Sequence, residues 1–155
     1  MDDFYTVVYP ALSEMLLQRK RLAADYLELT NAQKKIIESE DTEALSLNLL
    51  ERDKLISAFD ELSEKLKNPM RDYGDAKSRS APGDRAILAA EELISETEAV
   101  LHKIRDADIE NTAAAGALLL RSGDDIKKLA AVRKSIVSYS REEDAVPPGF
   151  FDQLR

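Results

Sequence analysis

Between Leu12 and Ile37 the apolar residues recur at steps of three and four: Leu12, Met15/Leu16, Leu22/Ala23, Tyr26, Leu29 and Ile36/Ile37. That spacing matches the 3.6-residue helical repeat, so it draws one apolar stripe along a single long helix. Arg19 and Gln33 interrupt the stripe at seam positions. Pro10 suits a first turn or an entry kink, where its missing N–H costs least. A second stripe is made by Leu45, Leu49, Ile56, Phe59, Leu62 and Leu66, broken by Arg52. Between the two stripes lies SEDTEAL. Asp41 or Thr42 can accept hydrogen bonds from free backbone N–H groups there, and Glu43 suits the positive end of a helix. The pattern predicts helices over about 3–39 and 43–67, joined so tightly that they form an antiparallel hairpin.

NPMRDYGDAKSRSAPG then gathers Asn68-Pro69, Gly74 and Pro82-Gly83, which are turn and breaker signals, and predicts a loop over 68–83. From Asp84 the helical pattern resumes and runs to about Tyr139, predicting a third helix over 84–139. Its strict seam passes through Asp108 and Asn111, whereas a straight 3.6-residue period carries the apolar face to Ile109, Leu119 and Ile126. The stripe therefore drifts around the small-residue run TAAAGA. RSGDD (121–125) is the weak point. Gly123 either ends one helix, with Asp124 starting another, or is a tolerated glycine costing about 1 kcal/mol relative to alanine. The favoured reading is one long, kinked helix. The expected fold is all-α: an antiparallel hairpin packed on a long third helix within a single domain, 1–139. A flexible aromatic tail, 140–155, completes it.

The helix lengths do not match. The second helix would span nearly 40 Å and the third about 84 Å, so the third outruns the hairpin near Asp108 and Asn111. Residues 112–139 still carry Leu118, Leu119, Ile126, Leu129, Val132, Ile136 and Tyr139. Such a stripe needs a cover. A second copy of the chain, a fold-back at Gly123 into a fourth helix, or a partner's helix laid in a groove would each supply one. The tail, VPPGFFDQLR, holds Phe150 and Phe151, two of the four phenylalanines. Tethered just beyond the stripe, they either cover part of it or join the same partner interface.

The chain has no cysteine, so thiolate metal sites and disulfides are excluded, and its net charge of −8 disfavours nucleic-acid binding. The N-terminus carries acids where a signal peptide carries bases, and no apolar run reaches membrane-spanning length, so a cytoplasmic protein without membrane insertion is expected. His102 with Glu98 one turn earlier reads as a surface pair. DADIEN (106–111) fails as a calcium loop, lacking glycine at Asn111 and glutamate at Ala117. There is no glycine-rich phosphate loop, no GxSxG and no HExxH. No enzyme and no cofactor are expected. Asp108 and Asn111 either face the 39–41 turn and bind its free backbone groups, fixing register, or lie on the edge of the stripe in water. Arg19 and Arg52 are expected to snorkel or to pair at an edge.

The stretch IIESEDTEALSLNLLERDKLISAFDELSEKL resembles the helical hairpin of FlgN/FliT-type flagellar export chaperones. The shared features are an acidic turn D-x-E-x-L (Asp41, Glu43, Leu45) and then R-x-x-L-I (Arg52, Leu55, Ile56). DADIENTAAAGALLL is similar to that family's D-x-x-N segment (Asp108, Asn111), Tyr139 to its helix-closing tyrosine, and GFFDQLR to its aromatic-plus-Asp endings. The resemblance spans about residues 12–152, and the linker around Gly74 and Pro82 departs from it. It implies a small cytoplasmic chaperone that binds amphipathic helices of late export substrates, hook-associated or cap proteins, and escorts them to the type III export gate. Substrate would bind the end of the long helix and the segment beyond it, and Tyr139 would be a contact for an export-gate component. The expected state is a monomer or weak dimer. The alternative is a homodimeric coiled-coil scaffold whose seam is the 118–139 stripe.

Overall fold

A computed structural model describes residues 2–121, 131 and 133–136, the side chains of Leu119 and Arg121 excepted. A π-helical turn, Phe4–Val8, runs into α1 (Tyr9–Glu38); α2 (Thr42–Arg79) and α3 (Arg85–Arg121) come next, and residues 131 and 133–136 are also helical. The protein is an all-α helical bundle. Pro10 stands at the start of α1, directly after the π turn. The proline ring collides with the carbonyl four residues back, and the wider π turn accommodates it.

α1 ends where Glu40 adopts a left-handed backbone, φ 58°. The Ser39 N–H donates to Lys35 O at 2.9 Å and the Glu40 N–H to Ile37 O at 3.0 Å, closing the last turn. Asp41 then caps α2, its Oδ1 accepting from the Ala44 N–H at 2.9 Å, with Glu43 in the first turn. Two consecutive residues thus reverse the chain, and α2 runs antiparallel to α1.

α2 does not stop at residue 67. It continues through Pro69 to Arg79, so the loop expected over 68–83 is only 80–84. The reason is burial. Tyr73 and Ala76 carry on the spacing of Leu62 and Leu66, and all four pack with Phe4, Leu12, Leu16, Ile87 and Ala90 in one cluster. Burial of Tyr73 and Ala76, with the partly buried Met70 beside them, offsets the roughly 3 kcal/mol penalty of an internal proline. The short loop turns on Gly83 at φ 86°, a conformation that disfavours any Cβ. Asp84 caps α3, accepting from the N–H groups of Ala86 (3.0 Å) and Ile87 (3.2 Å). The Tyr5 hydroxyl donates to Asp84 Oδ2 at 2.6 Å; these bonds favour the ionised carboxylate, led by the tyrosine, and hold it below its usual pKa.

α3 runs parallel to α1. Lys20 pairs with Glu96 and Lys34 with Glu110, the same offset of 76 residues at both places. α1 packs against both other helices along its length, whereas α2 and α3 meet over few residues. Among the described residues the core is three clusters strung along α1. The middle one is Ala23, Tyr26, Phe59, Leu101 and Ile104. The third, at the turn end, is Ile37, Leu45, Leu49, Ala115 and Ile136.

That third cluster corrects the expectation of an unbroken helix over 84–139. In one continuous helix Ala115 and Ile136 would stand about 32 Å apart. Here both are buried in the same cluster, so the chain doubles back between them, and Ile136 covers the hairpin end instead of extending past it. Hydrophobic burial is the cause: an extended helix would leave Ile136 in water and the faces of Ile37, Leu45 and Leu49 open.

Urea unfolding of two variants checks these elements. Ile136→Asp should lower stability by about 3 kcal/mol, since it puts a carboxylate among apolar side chains; an extended helix would show no change. Asp41→Ala should cost about 1 kcal/mol through the lost cap.

Candidate functional site

Two features stand out: a buried polar cluster at mid-bundle, and an apolar groove at the turn end that the cluster positions.

The cluster is built on Arg52, which is 3% exposed. Its Nη2 donates to both carboxylate oxygens of Asp108, at 3.1 and 3.3 Å, and to the Tyr26 hydroxyl. Its Nη1 donates to Gln33 Oε1 at 3.2 Å, and the guanidinium lies 4.5 Å from the Tyr26 ring centroid. Asn111 Nδ2 donates to the same Gln33 Oε1 at 3.0 Å and to the Thr30 carbonyl at 2.9 Å. Gln33 Nε2 in turn donates to Asn48 Oδ1 at 3.2 Å, and Asn48 Nδ2 to the Leu29 carbonyl at 2.9 Å. Three helices are thereby tied through one set of hydrogen bonds.

This arrangement decides both expectations for the polar seam. Asp108 and Asn111 neither face the 39–41 turn nor lie in water; they bind Arg52, Gln33 and the Thr30 carbonyl, about two turns inside the hairpin. Arg52 and Arg19 do not snorkel. Both are 3% exposed, because each lies where α1 packs against its neighbouring helices. For Arg52 the cost of burying the charge is met by its ion pair with Asp108 and its hydrogen bonds to Tyr26 and Gln33.

The groove begins immediately beyond Asn111. Along α3, Gly116 and Ala117 each stand three or four residues from both Ala113 and Leu120, so the four share a face. With Thr112 and Ala115, and with Arg133 and Ile136 of the returning segment, they line a cavity of about 630 Å3. Among the described residues a Cβ added at Gly116 would meet nothing within 4 Å, so they leave the groove open at its smallest residue. Leu120 at its rim is 91% exposed and Ile109, two turns before Ala117, is 64% exposed. The walls are short and apolar, which suits close approach by another helix or an apolar side chain.

Of the residues expected to bind a partner, Leu118 is half-buried against the third cluster and Ile136 is buried in it. Leu119 is helical with its side chain outside the described residues, and Ile126, Leu129, Val132, Tyr139, Phe150 and Phe151 lie outside them altogether. The groove face itself, Ala113, Gly116, Ala117 and Leu120, is not among the expected contacts. Its only sequence signal is the small-residue run at which the stripe drifts. Among the described residues no cluster of three or more acidic or histidine side chains could hold a metal ion, and no helix is long and apolar enough to cross a membrane.

The described residues thus define a three-helix up-down-up assembly with a returning helical segment, locked at its centre by a buried ion pair and open at one end. No protein-family model, curated protein or solved structure matches this chain.

Removing one partner of the buried pair should be costly. Asp108→Ala is expected to lower stability by about 3 kcal/mol, because it leaves the Arg52 charge buried with fewer acceptors. The double change Arg52→Met, Asp108→Leu should cost less than that single one. A double-mutant cycle by chemical denaturation measures both.

Proposed function

We propose that this protein is a non-catalytic binding protein of the flagellar export chaperone kind, cytoplasmic, shielding an amphipathic helix of a hook-associated or cap protein before export. The observation that carries the reading is the groove lined by Ala113, Gly116, Ala117, Leu120 and Ile136, open and apolar on an otherwise charged bundle. Helix-in-groove recognition needs this geometry: small side chains admit a second helix, and a flanking leucine anchors it. The cargo class and the export-gate role come from the sequence resemblance, in which the binding region is the end of the long helix. Arg52, Asp108 and Asn111, three of the residues that carry the resemblance, are joined in the polar cluster, which holds α3 at the height where its end borders the groove. The net charge of −8 supports solubility of a complex whose contact is apolar.

The test is size-exclusion chromatography with light scattering on the chain, alone and with helical terminal segments of hook-associated proteins from the same organism. A monomer forming a discrete one-to-one complex is expected. Leu120→Asp should weaken that complex by about 2 kcal/mol, as loss of an anchor residue does, and leave the melting temperature unchanged because Leu120 is exposed. A dimer that ignores the segments would assign the groove to self-association and overturn the chaperone reading.

A further inference from the structure

Arg19 lies on the inner face of α1, 3% exposed, with Nε and Nη2 lacking a hydrogen-bond partner among the described residues. Its guanidinium carbon stands 5.1 Å from the Phe59 ring centroid. That cation–π contact serves the face of the guanidinium plane and leaves the N–H edge unserved. Burial lowers its pKa to about 10, opposed by the charge of Glu98, so the group is still protonated at neutral pH. Nε and Nη2 form one edge of the guanidinium, two parallel N–H groups spaced to meet the two oxygens of a carboxylate. A buried cation with that edge unfilled is strongly unfavourable.

The residue lines a cavity of about 320 Å3 between all three helices. Leu16 and Arg19 come from α1, Ser63, Leu66 and Met70 from α2, and Ile94 from α3. The volume is at the lower end of the usual range for small-molecule pockets, about 300–1,000 Å3. Lys67 also lines it, its side chain 68% exposed and paired with Glu64 at 2.8 Å. The cavity therefore holds one buried cation and an otherwise mainly aliphatic lining, with no residue in common with the groove at 112–136.

We propose that this cavity is a binding site for a small amphiphilic monocarboxylate of the medium-chain fatty-acid class. The carboxylate takes both N–H groups of the Nε/Nη2 edge, and the hydrocarbon lies along Leu16, Leu66, Met70 and Ile94. A monoanion matches the single buried charge, whereas a phosphate dianion would enter the aliphatic lining with one charge unmet.

The probe is decanoate, kept below its micellar concentration and titrated calorimetrically into the full chain. Saturable one-to-one binding is expected, with decanol and decylamine giving none. Arg19→Met should reduce the affinity roughly tenfold or more, the effect of losing a charge-assisted pair of hydrogen bonds. It should keep its helical circular dichroism, since an apolar side chain of similar length replaces an unpartnered buried charge. Ile94→Trp, which fills the cavity and retains Arg19, should also lose binding and decides the matter if Arg19→Met does not fold. Absence of saturable binding by the unaltered chain, undiminished affinity in Arg19→Met, or equal binding of decanol would overturn the proposal.

Discussion

The bundle depends on what happens to one charge. Arg52 is taken out of water on the inner face of α2, and its acceptors must come from its neighbours. Tyr26 and Gln33 supply them from α1 and Asp108 from α3. Apolar stripes alone tolerate sliding, because leucine packs on leucine at many offsets. A one-turn slip of α3 would take Asp108 away from Arg52 and leave the guanidinium short of its counter-charge, a loss of about 3–5 kcal/mol when a buried pair is broken. The cluster therefore acts as a register pin, as single buried polar groups do in coiled coils. Asn111 adds a second pin one turn on, through the Thr30 carbonyl.

Register matters because the two ends of the molecule are built differently. At the end where α1 begins, the chain is tied by Asp84, which caps α3 and accepts from the Tyr5 hydroxyl, and by a core containing Phe4, Leu12 and Tyr73. At the turn end, among the described residues, the third cluster is completed by Ile136, which comes from beyond α3. The face of Ala113, Gly116 and Ala117 stays open beside it. A rigid centre with one open end is an arrangement in which a partner can be bound without disturbing the core. Because Asp108 lies one turn before Thr112, the pin at mid-bundle also sets how the groove is presented.

Much of this is legible in the sequence, and the exceptions have physical causes. The stripes of α1 and α2 and the reversal at Asp41 rest on local spacing and local hydrogen bonding, and the structure has them as expected. The extension of α2 through Pro69 is not legible from its breakers. A proline penalty is local, whereas the burial of Tyr73 and Ala76 that outweighs it requires Phe4 and Ile87 from distant parts of the chain. The polar seam is half legible: Arg52, Asp108 and Asn111 stand out at apolar positions, but nothing in their spacing says that they converge. Arg52 and Asp108 bond across 56 residues of chain. Arg19, which stands at a seam position but whose charge predicts that it reaches an edge, is enclosed because α1 is flanked on two sides, a fact of packing alone.

Sequence-local chemistry was enough to set the helices and the direction of the first reversal, because apolar period, caps and turn residues act within a few positions of one another. Packing over long separations had to settle which helix is central, how α3 is registered, that the chain returns to place Ile136 beside Ala115, and that a groove and a cavity remain. Those outcomes depend on burial and charge pairing between residues far apart in the chain, and such terms take their values only when the partners have met.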